Sequence, residues 1–323
     1  MEFFKYTRTY NFMGKSKYAF IVSIILVLSS IALLATKGLN YGVDFAGGTI
    51  VQVKYESAAP IDDMRERLKS NPMFEGASIS EFGSPQEVVI RMKTATSGVV
   101  VDIGDVTNET LQGTGDFEIR RVDIVGPKVG SELRVQGLTS LILAVIGILI
   151  YVAFRFEWRF AVASVLALVN DVIIAMGALS LAQIDVNLDV LAALLTILGY
   201  SLNDTIIIFD RIREGISDSK NTDFKETINT SITKTLSRTT LTSLTTLFVV
   251  FTLYTFGGEI INPFAFTLLV GIVIGTFSSI FVASPILVGL GFDIKNYHSK
   301  LAEKAKRTAE KEKLRSQYES GTI

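Results

Sequence analysis

Two carboxylates lie where an apolar chain tolerates them least. Asp204 is inside Ile197-Leu-Gly-Tyr-Ser-Leu-Asn-Asp-Thr-Ile-Ile-Ile-Phe-Asp-Arg-Ile-Arg-Glu214, which closes an apolar run starting near Val190 and long enough to span a bilayer. Asn203 stands beside it, and the run ends on the charged group Asp210, Arg211, Arg213 and Glu214. An ionisable side chain within a bilayer costs roughly 2.5–3.5 kcal/mol on insertion, so such residues face a bundle interior or a wet cavity and mark ion paths. A candidate partner follows in Leu236-Ser-Arg-Thr-Thr-Leu-Thr-Ser-Leu-Thr-Thr246, where Arg238 sits at the mouth of the next apolar run. On one helix Arg238, Thr242 and Thr245 share a face, at i, i+4 and i+7. The expectation is a buried Asp204–Arg238 charge system lined with hydroxyls; the alternative is a static ion pair that locks two helices together. Asp171, in Leu168-Val-Asn-Asp-Val-Ile-Ile174, lies nearer the middle of its span and fits a second carrier or a hydrogen-bonded packing residue equally well. The chain has no cysteine and its single histidine, His298, is in a polar tail. A transported proton must therefore use carboxylates, and neither a disulfide nor a thiolate metal site exists.

The elements that hold these groups follow from composition. The 323 residues are 49% hydrophobic, with a mean hydropathy of +0.41 that is high for a soluble chain. The 31 basic and 32 acidic residues nearly cancel, which leaves no field directed at nucleic acid. The expected fold is an all-α polytopic membrane protein of six transmembrane helices, with one α+β ferredoxin-like domain between the first and second. Residues 1–17 form a basic N-terminus, and 18–36 the first span, which has no clear cleavage motif and reads as uncleaved. Gly14-Lys15-Ser16 is not a phosphate loop, because the earlier glycine is missing and no strand precedes it. Residues 37–136 form the domain, 137–292 hold spans two to six, and 293–323 are a charged tail, either a solvated helix or disordered.

Within the domain, Thr49–Glu56 alternates as a strand, and Pro60 opens a helix with Ile61, Met64 and Leu68 on one face. Ala77–Phe82 and Glu87–Met92 are strands about a Gly83–Gln86 turn, Val99–Leu111 is a weak helix, and Phe117–Ile124 is a last strand. That order, β-α-β-β-α-β, is the split βαβ arrangement. The later spans fall near Gly137–Phe154, Phe160–Gln183, Asp189–Phe209, Thr240–Phe256 and Phe264–Leu290. Gly271-Ile-Val-Ile-Gly275 in the last permits close helix approach. Lys and Arg cluster in alternate loops, at Arg155 and Arg159, at Arg211 to Arg238, and in the tail. By the positive-inside rule both termini are cytoplasmic and the domain is periplasmic. Asp204 is then about 22 Å along a path of about 30 Å, in the cytoplasmic half.

At this point the residues resemble the SecF family of bacterial protein-export subunits, within the SecD/SecF group and the resistance–nodulation–division superfamily. Gly38-Leu-Asn-Tyr-Gly-Val-Asp-Phe-Ala-Gly-Gly-Thr49 is similar to the family's hallmark at the start of its external domain, and Gly126-Pro-Lys-Val-Gly-Ser-Glu-Leu133 to its approach to the second span. Tyr200–Thr205 through Asp210–Glu214 is similar to the fourth-span signature, and Ser237-Arg238-Thr239 to the fifth-span arginine. Asn170 departs from relatives that carry His before the aspartate. The resemblance covers about residues 12 to 292. It implies an accessory role in export across the bacterial inner membrane, with SecD as partner, the SecYEG channel alongside, translocating unfolded polypeptides as substrate and the proton motive force as drive. It implies Asp204 as the proton-binding carboxylate and Arg238 as its charge partner, with no cofactor and no enzymatic activity. Movement of Arg238 would switch the proton affinity of Asp204, through a two-state helix pair; Gly199 fits a residue that helps it bend and a packing contact equally well.

Three other classes compete. Half of a small-molecule or lipid exporter would share the spans but carry two large external domains. A membrane scaffold needs no ionisable pair. An intramembrane aspartyl protease needs a glycine directly before its aspartate, where this chain has Asn203.

Overall fold

The computed structural model describes residues 9–92, 102–218 and 223–292, with residues 297, 303, 306–312 and 315 of the tail. Six helical segments among them are long and apolar enough to cross a membrane. They are α1 (Phe12–Thr36), α5 (Pro127–Arg155), α6 (Trp158–Ala182), α7 (Leu188–Asp218), α8 (Phe224–Phe256) and α9 (Gly258–Ser278) continued through a π turn into α10 (Ser284–Gly289). Between α1 and α5 lie the short α2 (Val43–Ala46), β1 (Gly48–Tyr55), α3 (Ile61–Ser70), β2 (Ser78–Phe82), β3 (Ser84–Met92), α4 (Ile103–Leu111) and β4 (Phe117–Val125).

Several helices outrun their apolar cores. α5 begins ten residues before Gly137, at Pro127, whose fixed φ and missing N–H suit a first helical position. α8 begins at Phe224 with Asp223 capping the Lys225 N–H, and its 33 residues reach about 50 Å, well beyond a bilayer core. Hydropathy marks where a helix is apolar and is silent about polar turns added at its ends. The break after α9 has a local cause. Pro285 cannot supply the N–H of a continuous α-helix, and the residues before it, Ser279–Ala283, widen into the π turn.

The sheet order is β2-β3-β1-β4, antiparallel throughout. Val51, Val53 and Tyr55 of β1 and Val88 and Ile90 of β3 are buried against Met64 and Leu68 of α3 and Leu111 of α4. Gly83, at φ +72°, makes the β2–β3 turn tighter than the four-residue turn expected, so β3 begins at Ser84. The start of the expected Val99–Leu111 helix lies outside the described residues. α2 is unmarked in the sequence: four residues cannot show periodicity, and it is held by tertiary contacts, with Asp44 accepting from the Leu188 N–H at 3.0 Å.

Three helices form the centre of the bundle and three surround it. About half of the apolar window is buried for α6 (56%), α7 (50%) and α9–α10 (56%), against 11–17% for α1, α5 and α8. Glycine permits the tightest contact. Gly271 and Gly275 place the bare backbone of α9 against Ile197 and Ser201 of α7, and a Cβ at Gly275 would lie 3.0 Å from the Ser201 Cβ. Gly271→Leu should therefore wedge α9 from α7 and cost about 1–3 kcal/mol of overpacking. Gly147→Leu, at a position open around its Cα, should cost nothing. Thermal unfolding of the two variants in detergent checks this, and equal Tm values would contradict the packing.

Candidate functional site

The polar heart of the bundle is built on Asp171. α6 carries it fully buried, and its Oδ2 accepts from Ser201 of α7 at 2.6 Å and from Ser278 of α9 at 2.8 Å. Its Oδ1 accepts from the Asn170 side-chain amide at 3.1 Å, while Asn170 Oδ1 accepts from Ser23 of α1 at 2.6 Å. One carboxylate thus gathers the three central helices and, through Asn170, an outer one. Donors aimed at a buried carboxylate replace the water it has lost. Both oxygens of Asp171 are thus engaged by side-chain donors. The structure also gives Asn170 a function that a charged ring is not needed to fill.

Asp204 lies one turn further along α7 from Ser201 and is equally buried, but it is far less satisfied. Its Oδ2 accepts from Ser243 of α8 at 3.3 Å, and Ser243 Oγ in turn accepts from Thr276 of α9 at 2.8 Å. Its Oδ1 has no hydrogen-bond partner. Buried polar atoms are nearly always paired, so this carboxylate oxygen is left with room for a further hydrogen-bond partner.

The expected direct contact with Arg238 is absent. Arg238 is exposed, as is Thr245, and Thr242 is half-buried. These three do share a helix face, but the face points away from Asp204. Ser243 is one residue and about 100° further round α8 than Thr242, and it is Ser243 that meets α7. Thr242 and Thr245 instead donate to carbonyls of their own helix, Thr242 to Arg238 O at 3.0 Å and Thr245 to Leu241 O at 2.9 Å. Asn203, about 100° round α7 from Asp204, is exposed. The residues that the sequence left unranked are Ser23, Ser201, Ser243, Thr276 and Ser278. Their only signal was hydroxyls spaced along apolar helices, which are common and usually bond back to their own backbone.

Two polar cavities flank this core. At the end of the bundle away from the sheet, a cavity of about 610 Å³ is lined by Arg155, Asp210, Arg211, Glu214, Lys234 and Arg238, with Ile206, Ile207 and Thr235 at its inner wall. Arg213 and Arg155 both reach Asp210, at 2.9 and 3.5 Å. At the sheet end, Asp44, Asp185, Asp189 and Glu259 share a cavity of about 630 Å³ with Arg91 of β3. Burial pulls the Arg91 guanidinium below its usual value, opposed by those four carboxylates. Among the described residues no group of three His, Cys, Asp or Glu side chains could hold a metal ion.

Six membrane-length helices, a small sheet domain after the first of them and a buried carboxylate core define a polytopic membrane protein of the transport type. A family model described as the C-terminal region of the protein export membrane protein SecD/SecF matches residues 106–293, and one for the SecD/SecF GG motif matches residues 32–59. The chain belongs to the SecD/SecF family. It is 49% identical over its full length, and that of its relative, to "Protein translocase subunit SecF" of Helicobacter pylori. It is 40% identical to the protein of the same name from Escherichia coli O157:H7, over 92% of this chain and 93% of the other. Among solved structures it is similar to SecDF, a translocon-associated membrane protein from Thermus thermophilus, with a TM-score of 0.74 at 34% identity. That match covers 89% of this chain and 39% of the longer SecDF chain.

The unequal satisfaction of the two carboxylates has a measurable consequence. Asp171→Ala removes the acceptor shared by Ser201, Ser278 and Asn170, leaving Ser278 only Gly275 O at 3.2 Å, and should destabilise the fold by about 2–4 kcal/mol, whereas Asp204→Ala removes one long hydrogen bond and should cost about 1 kcal/mol or less. Unfolding of the purified variants measures both, and equal losses would contradict the distinction.

Proposed function

We propose that this chain is an accessory subunit of the bacterial Sec protein-export machinery, that it pairs with SecD beside the SecYEG channel, and that Asp204 is the carboxylate through which the proton motive force assists translocation. The carrying observation is the Asp204 Oδ1 atom, buried and unpartnered in an apolar bundle, in a chain 49% identical to a protein translocase subunit over its whole length. A carboxylate whose oxygens are all engaged is a poor exchanger, because taking up a proton breaks hydrogen bonds; one with an open oxygen can be loaded without rearranging its neighbours.

The same reading orients the molecule. The end with Arg155, Arg211, Arg213, Lys234 and Arg238 is cytoplasmic, and the sheet end, where Asp44, Asp185, Asp189 and Glu259 cluster, is periplasmic. Both termini are then cytoplasmic, in a multi-pass protein of the inner membrane. Residues 37–136 form the periplasmic domain, and residues 137–292 carry spans two to six. Arg238 acts from the cytoplasmic mouth, on the α8 face left open here to SecD and lipid, and couples to Asp204 when the helices shift rather than as a standing ion pair. Asn203, Thr242 and Thr245 lie on these outer surfaces, where a partner's helices would enclose them. Asp171 anchors the bundle around Asp204. The periplasmic sheet contacts emerging unfolded polypeptide. No step of this scheme requires a cofactor or bond-making chemistry.

Asp204→Asn keeps the shape and removes the proton. In inverted inner-membrane vesicles it should assemble normally with its partner and lose the gradient-dependent part of export, leaving export with the gradient collapsed unchanged. Full gradient-dependent export by this variant would refute the carrier role. Arg238→Met should impair the same component, and Arg238→Lys should restore it only partly, lacking the planar fork. Restored export and assembly in the double neutral variant would indicate a structural pair instead. Orientation is checked with single cysteines at Ser84 and Ser217 in this cysteine-free chain: an impermeant thiol reagent on spheroplasts should label 84 and spare 217, and the reverse pattern would invert the topology.

A further inference from the structure

The α8 helix carries hydroxyls at every fourth residue over its first two-thirds: Thr227, Ser231, Thr235, Thr239 and Ser243, and all five are buried. Each step advances about 6 Å along the axis and about 40° around it. The stripe therefore follows the α7 seam from Ser231, which donates to Arg211 O at 3.1 Å, to Ser243, which donates to Asp204 at 3.3 Å and also accepts from Thr276 of α9 at 2.8 Å. Such a stripe alone is ordinary helix packing, since Thr227 and Thr235 bond back to their own helix, to Asp223 O and Ser231 O. Thr239 breaks the pattern. Its hydroxyl is buried and has no partner, and the Asp204 oxygen beyond it, Oδ1, has none either. One turn below Thr239, Thr235 lies in the wall of the 610 Å³ charged cavity with Ile206 and Ile207.

We propose that Thr239 is the relay position of a water-mediated proton path joining Asp204 to that cavity along the α7–α8 seam. This rests on the carrier reading of Asp204. The spacing suits it. An axial step of about 6 Å holds successive hydroxyls too far apart to bond directly, so the gaps between them are crossed through water. A buried water needs two to four polar partners. Asp204 Oδ1 and the Thr239 hydroxyl supply two on one side, and the Thr239 and Thr235 hydroxyls two on the other. A threonine hydroxyl both donates and accepts, so it passes a proton by accepting from one water and donating to the next. Beyond Thr235 the cavity is lined by Asp210 and Glu214, which return the proton to solvent. The path has a single narrow step, at Thr239, and the half-buried Thr242 and exposed Thr245, on another face of α8, take no part in it.

Thr239→Val matches the shape of threonine and removes the hydroxyl. In vesicles containing the assembled complex, its gradient-dependent export should fall about tenfold, the loss of one buried hydrogen-bonded link, while assembly and export without a gradient stay unchanged. Thr239→Ser restores the hydroxyl and should restore the rate; Thr242→Val and Thr245→Val should behave as wild type. Gradient-dependent export by Thr239→Val at the wild-type rate would overturn the path, as would a loss that Thr239→Ser shares, which marks packing rather than relay. Asp204→Asn, measured in parallel, separates the two claims. If it retains export the carrier reading itself falls; if it loses export while Thr239→Val does not, only the path falls.

Discussion

Burying a carboxylate in an apolar bundle is the constraint on which the rest of this molecule depends. Two are buried, and the structure treats them differently. Asp171 collects donors from α6, α7 and α9 and, through Asn170, from α1. Asp204 has one long hydrogen bond and an open oxygen. The inner position of α6, α7 and α9 follows from the first arrangement: helices that must each deliver a donor to one point pack around it, and Gly271 and Gly275 let α9 come close enough to do so. The carboxylate with donors on both oxygens sits at the meeting point of the frame, and the other keeps one oxygen without a partner beside it.

The two carboxylates are linked by the helix they share. Ser201 and Asp204 lie one turn apart on α7, so the helix that Asp171 grips is the one that presents Asp204 to α8. On the other side of the pair, the π turn at Ser279–Ala283 directly follows Ser278, the α9 donor to Asp171. A widened turn is a locally weak place in a helix, and it sits where the grip on Asp171 is made. α8, like α1 and α5, is largely uncovered in the isolated chain. Its inner face reaches Asp204, its outer face carries Arg238, and a shift of this one helix alters both environments together.

Much of this was legible in the sequence. The order of spans, the intervening β-α-β-β-α-β segment and the burial of Asp204 and Asp171 follow from hydropathy, strand alternation and the cost of intramembrane charge. What failed to follow was rotational detail. Arg238, Thr242 and Thr245 do lie on one face, but periodicity gives the composition of a face and not its direction. A bundle that packs α8 through its Ser and Thr stripe turns the arginine outward. The serines that satisfy Asp171 were also out of reach, because Ser23, Ser201 and Ser278 come from three distant segments and only the tertiary fold joins them. The helix ends lie beyond the apolar spans for a simpler reason: polar turns such as those of α8 before Thr240 carry no apolar signal.

The claim that Asp204 exchanges a proton while Asp171 holds the bundle can be tested most directly by infrared difference spectroscopy of the reconstituted complex during a pH jump. The protonated carboxyl band is compared among the wild type, Asp204→Asn and a conservatively altered Asp171→Glu. A titrating band that disappears in Asp204→Asn and persists in Asp171→Glu is the predicted result. A band that survives Asp204→Asn unchanged would contradict the account.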